Sequence, residues 1–114
     1  MEFADYRGRD AVALAEACAS GEATAEALFD LARARLAKVN PQINAVCIDM
    51  TDIARQRLAE PPAGRFAGVP FLIKDIIQDH AGVPTTAGSR ALRNQVPPQH
   101  SDYTRRVLDA GLVG

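Results

Sequence analysis

The chain has 114 residues, 47% of them hydrophobic and 24% charged, with a formal net charge of -1. That length suits one small globular unit, and the near-neutral balance supplies no basic field for nucleic acid or for an anionic membrane surface. No apolar run approaches the ~20 residues that span a bilayer, and the opening Met1-Glu2-Phe3-Ala4-Asp5-Tyr6-Arg7 lacks the charged-then-apolar order of a secretion signal, so the cytoplasm is the expected location.

The first predicted helix starts near Arg9-Asp10, with Asp10 as N-cap, and runs to Ser20, where Gly21 stops it. A second covers residues 24–39, because Leu28, Leu31, Ala32, Leu36 and Val39 fall on one side while Asp30, Arg33 and Lys38 face away or flank the stripe. Asn40-Pro41 is expected to end it, since the residue before a proline avoids helical geometry. Residues 43–48 suit a strand. A third helix is predicted over residues 51–60, capped by Asp49 or Thr51 and closed by Pro61-Pro62-Ala63-Gly64. Glu16, Glu22, Glu26 and Asp30 belong to solvated helical faces. Cys18 and Cys47 show neither zinc nor disulfide spacing and are expected as buried free thiols.

Beyond the Pro/Gly turn the composition shifts. Gly68-Val69-Pro70-Phe71-Leu72-Ile73-Lys74-Asp75 reads as a buried strand that carries an amine into its end. Burial disfavours the ammonium form of a lysine and can turn it into a base. The alternative is a lysine that snorkels to water and pairs with Asp75 or Asp79. Residues 78–99 hold prolines at 84, 97 and 98 and glycines at 82 and 88, the composition of a long surface loop or a series of turns. Within it Thr85-Thr86-Ala87-Gly88-Ser89 either faces a cleft beside Lys74 or forms turns. His80 and His100 lack a serine and an orienting carboxylate at triad spacing and are assigned solvent or turn roles. Gly82 and Gly88 lack the spacing and following lysine of a phosphate loop, and neither a metal site nor a cofactor is indicated. The last helix is predicted from Ser101-Asp102 to Gly111, with Tyr103, Val107, Leu108 and Ala110 facing a sheet.

Three blocks in order and spacing carry a resemblance: residues 68–75, then Gly82-Val83-Pro84-Thr85-Thr86-Ala87-Gly88-Ser89, then Ser101-Asp102-Tyr103-Thr104-Arg105-Arg106-Val107-Leu108-Asp109-Ala110-Gly111. Together they resemble the amidase signature family, and residues 21–44 are similar to its helical N-terminal region. The resemblance implies an α/β fold, a mixed sheet surrounded by helices, of which this chain is an incomplete N-terminal part. Residues 1–64 would form the helical region of one domain, and residues 65–114 the motif strand, loop and helix. It further implies hydrolysis of a small-molecule carboxylic amide by a Ser-cisSer-Lys triad with Lys74 as base. Asp75, Gly88 and Ser89 would support the site. The family carries both serines further along, the nucleophile in a Gly/Ser-rich segment, and residues 1–114 contain no such segment, so this chain is expected to be inactive alone. An unfinished core and open strand edges predict self-association, or completion by a missing C-terminal part. Two alternatives stand beside this: a non-catalytic remnant or complementing subunit, and the glutamine-amidase subunit of a tRNA-dependent amidotransferase.

Overall fold

The computed structural model describes residues 1–60 and 62–114. Its elements are five α-helices, α1 (Phe3–Gly8), α2 (Ala11–Ser20), α3 (Ala25–Ile43), α4 (Thr51–Ala59) and α5 (Asp102–Asp109), with a 3-10 turn at Arg90–Leu92. Helix α1 precedes the first helix the sequence predicts. It has no side-chain cap and no buried residue, so neither a cap nor an apolar stripe announces it.

Three helix starts obey local chemistry. The side chains of Asp10, Thr24 and Ser101 each accept the N–H three residues on, at 2.9, 3.0 and 3.2 Å, which satisfies one of the donors a first turn leaves free. Gly21 ends α2 in the left-handed region at φ 80. At α4 the capping carboxylate is Asp49, which accepts the N–H of Thr51 at 2.8 Å. Pro61, expected to help close α4, lies outside the described residues.

Helix α3 runs through Pro41, where the sequence predicts a stop. Asn40 explains the extension. Its Oδ1 accepts from Ala45 N–H and Val46 N–H at 2.9 and 3.0 Å and its Nδ2 donates to Val46 O at 2.9 Å, so the helix end is folded back on one amide. Asn44, in the left-handed region at φ 47, completes the cap by donating to Asn40 O. The chain that follows is therefore a wrapped turn rather than the strand expected over residues 43–48.

No strand is present among the described residues, and the sheet expected around residues 68–75 is reduced to one parallel bridge, Pro70 with Val113. The two segments still run side by side. Phe66, Gly68 and Phe71 donate to Ala110, Gly111 and Val113 carbonyls at 2.7, 3.0 and 2.7 Å, and Val113 donates to Val69 O at 2.9 Å. Gly68 and Gly111 sit at φ 87 and 93, outside extended geometry, and Pro70 has no N–H to give, which keeps this pairing from becoming a regular ladder.

The core has two parts. Leu14, Ala17, Ala23, Leu28 and Val69 join α2 and α3 to the motif segment, and Phe29, Ala54 and Val113 join α3 and α4 to the bridge. Arg57 locks α4 to the end of α5 by donating from Nε to Leu112 O at 3.0 Å and from its other arm to Leu108 O. The face of α5 turned inward carries Thr104, 1% exposed, while Tyr103, expected to face a sheet, is exposed. No described helix is long and apolar enough to cross a membrane.

Candidate functional site

Lys74 follows the bridge by four residues and is exposed, in contrast to the buried strand end the sequence suggests. The physical reason is that the lone parallel bridge at Pro70 leaves the motif residues after it without a neighbouring strand among the described residues. The backbone N–H of Lys74 donates to Gln78 Oε1 at 2.8 Å, which turns the chain sharply after the motif. Its ammonium forms no salt bridge among the described residues, neither with Asp75 nor with Asp79.

Asp75 is half-buried and organises the site. Its Oδ1 accepts the N–H of Thr86 at 2.7 Å, its Oδ2 accepts the Thr86 hydroxyl, and its carbonyl accepts the N–H of Ala87 at 2.9 Å. Thr86 passes the order on: its Oγ1 accepts Gly88 N–H at 3.3 Å and its carbonyl accepts Ser89 N–H at 2.8 Å. Ala87 and Gly88 both take the left-handed region, at φ 51 and 72, so the loop turns tightly over the carboxylate. Gly88 and Ser89 are exposed, and Ser89 Oγ caps the 3-10 turn by accepting from Ala91 N–H at 3.3 Å. Asp75 thus ties the motif segment to the Thr86–Ser89 loop, across eleven residues of sequence. Asp75 as the clamp for Thr86 was not readable from spacing. A carboxylate directly after the lysine and a Thr-Thr before a glycine are each ordinary, and only their contact in space joins them.

The thiols depart from expectation. Cys18 is half-buried, with burial pushing its thiol above the usual range, but Cys47 is exposed, its Sγ 4.0 Å from Asp75 Oδ2. The histidines depart too. His80 is buried and lies against His100 with ring centroids 4.4 Å apart in an edge-on arrangement, which the loop assignment missed. No group of three metal-ligating side chains exists among the described residues.

A family model described as Amidase matches residues 27–114. AmiC of Mycobacterium tuberculosis, whose name assigns it to the amidases, is 40% identical over 106 residues, covering 91% of this chain and 22% of that protein. A glutamyl-tRNA(Gln) amidotransferase subunit from Deinococcus deserti is 38% identical over 112 residues, covering 90% of this chain and 22% of its own length. The structure of 6-aminohexanoate cyclic dimer hydrolase superposes with a TM-score of 0.87 at 30% identity, over 99% of this chain and 23% of that one. The chain therefore spans about a fifth of the length of the proteins it matches.

Proposed function

The chain belongs to the amidase family, and from that premise we propose that Lys74 is the general base of a serine amide hydrolase acting on a small-molecule carboxylic amide. The observation that carries the reading is the convergence at Asp75: the residue next to the lysine holds the Thr86–Ser89 loop by three hydrogen bonds. A base must be fixed relative to the groups it serves, and this clamp ties the lysine's own backbone to a loop that can line a cleft.

In the proposed mechanism a nucleophilic serine attacks the amide carbon while its proton passes through a bridging serine to the neutral amine of Lys74. The C–N bond then breaks as the lysine returns that proton, by the same relay, to the leaving nitrogen. Water repeats the cycle on the acyl-serine and releases the acid. Residues 1–114 supply the base and the loop but no Gly/Ser-rich segment for the nucleophilic serine. In this reading the rest of the family fold extends the Pro70–Val113 pairing into a mixed sheet around Lys74.

The test is amide hydrolysis by the complete product of the reading frame, wild type against Lys74→Ala. The expected result is a fall in kcat of roughly 10²- to 10⁴-fold, the range for loss of a general base. Retention of activity in Lys74→Ala removes the lysine from the mechanism. The 38% identity to an amidotransferase component favours a second reading, in which the amide is glutamine and the released ammonia goes to a partner protein. Glutaminase activity that rises only on adding such a partner selects it.

A further inference from the structure

The turn at residues 79–85 is laced to residues 95–101 by four hydrogen bonds. Thr85 N–H donates to Gln95 O, Gly82 N–H to Pro97 O and Ser101 N–H to Asp79 O, each at 3.0 Å. The fourth runs from Ala81 N–H to His100 Nδ1, also at 3.0 Å. Three of these acceptors are carbonyls and do not titrate. The fourth is an imidazole nitrogen, which accepts only through a free lone pair, so the bond requires a neutral His100 with its proton on Nε2.

Residue 81 engages both rings. Its carbonyl lies 2.9 Å from His80 Nδ1, and a carbonyl can only accept, so His80 carries its proton on Nδ1. Protonating His80 would leave that bond intact. Protonating His100 would replace an acceptor with a second N–H aimed at a backbone N–H, and the edge-on contact of the rings would then set cation against neighbour. His80 and His100 open on a groove that also receives Arg57 from α4, Glu60 directly after it and Asp109 from α5, so protons can reach the pair from solvent. Asp79 enters the turn, and α5 brings the positive charge of Arg105 into the electrostatic surroundings of His100.

We propose that the Ala81–His100 hydrogen bond is a proton-operated latch: neutral His100 pins Ala81 to the segment that leads into α5, and a proton on Nδ1 frees Ala81 while the three carbonyl-accepted bonds of the turn remain. The inference does not depend on the amide-hydrolase reading.

Desolvation by burial, then the neighbouring His80 and Arg105, hold His100 below the ordinary histidine range. The unlatched ring therefore takes up its proton first. The latch contributes fully above the ordinary imidazole pKa of about 6.5, and its contribution is lost as pH falls toward the lowered value of the latched ring.

The test is an NMR pH series on the 114-residue chain, following imidazole nitrogens and amide hydrogen exchange. His100 is expected as the Nε2–H tautomer at pH 8. The protection factor at Ala81, corrected for intrinsic exchange, is expected to fall by up to ~10-fold per pH unit between the ordinary and the lowered pKa. Leu28 N–H, held by Thr24 O at 3.1 Å in α3, serves as the control and stays protected. His100→Phe is expected to leave Ala81 unprotected at every pH. An Nδ1–H tautomer at pH 8, Ala81 protection that is flat through the His100 midpoint, or Leu28 losing protection in step with Ala81 would each overturn the proposal, and the wild-type series decides it even if the variant does not fold.

Discussion

The carboxylate of Asp75 receives both polar hydrogens of Thr86, the N–H on Oδ1 at 2.7 Å and the hydroxyl on Oδ2. Hydrogen bonds to a charged acceptor contribute roughly 1.5–3 kcal/mol, more than neutral ones, and here they close a loop over a half-buried carboxylate. Asp75→Ala is therefore expected to cost about 2–3 kcal/mol. Asp75→Asn should cost less, since one oxygen still accepts, and Thr86→Ser should stay within about 0.5 kcal/mol because N–H and hydroxyl both remain. Urea unfolding of the four chains gives the order. Equal loss in all three variants would mean that the contact is packing, not charge-assisted bonding.

What could be read in advance was whatever depends on neighbours in sequence. Asp10, Gly21 and Ser101 do their work within three residues, and the structure places them where capping chemistry does. The rest depends on partners far along the chain. Asn40 overrides the proline stop only because its amide reaches Val46. Residues 68–75 have the composition of a strand, but a strand needs flanking partners, and Val113 alone supplies one bridge. Asp75 and Thr86, or His80 and His100, become pairs only when the 78–99 loop folds over. Their chemistry is plain once together and silent when apart.

Ser101 is the cap whose removal reaches the core. Its Oγ accepts Thr104 N–H at 3.2 Å and donates to Thr104 Oγ1 at 3.1 Å, and Thr104 is 1% exposed. Ser101→Ala is expected to cost about 1–2 kcal/mol, the upper part of the range for a lost N-cap, because a buried hydroxyl also loses a partner. Asp10→Ala, on an exposed first turn, should cost about 1 kcal/mol or less. Thermal unfolding of both variants checks the ranking, and a Ser101→Ala chain as stable as wild type contradicts it.

Gly111 is fixed by both conformation and space. It sits at φ 93, and a Cβ there would lie 2.6 Å from Ala67 Cα and 2.8 Å from Ala67 N, both backbone atoms that cannot swing aside. Left-handed strain of about 1–2 kcal/mol adds to the clash, so Gly111→Ala should cost ~3 kcal/mol or more and separate residues 66–71 from 110–113. Gly82→Ala is the control, with a positive φ of 76 but nothing within 4 Å of the added atom, and should lose only the strain. Comparable losses in the two would show that the close approach at Ala67 is immaterial.

Ile77 holds a β-branched side chain in the left-handed region, at φ 56, with 79% of its surface exposed. Within the 114-residue chain it has strain and little burial to offset it. Ile77→Gly should therefore raise stability by about 0.5–1 kcal/mol: roughly 1–2 kcal/mol of left-handed strain is relieved, less the larger unfolded-state freedom of glycine. Leu72, 68% exposed, lies five residues earlier, within the motif segment. Exposed apolar side chains of this size favour contact with another apolar surface, and a second copy of the chain supplies one at high concentration. The same Ile77→Gly change, and Leu72→Glu more strongly, should then shift the weight-average mass in sedimentation equilibrium toward the monomer while the urea midpoint of Ile77→Gly rises. A lower midpoint for Ile77→Gly would mean that the isoleucine gains more from its neighbours than its backbone loses. An unchanged mass distribution in Leu72→Glu would move any self-association to another face.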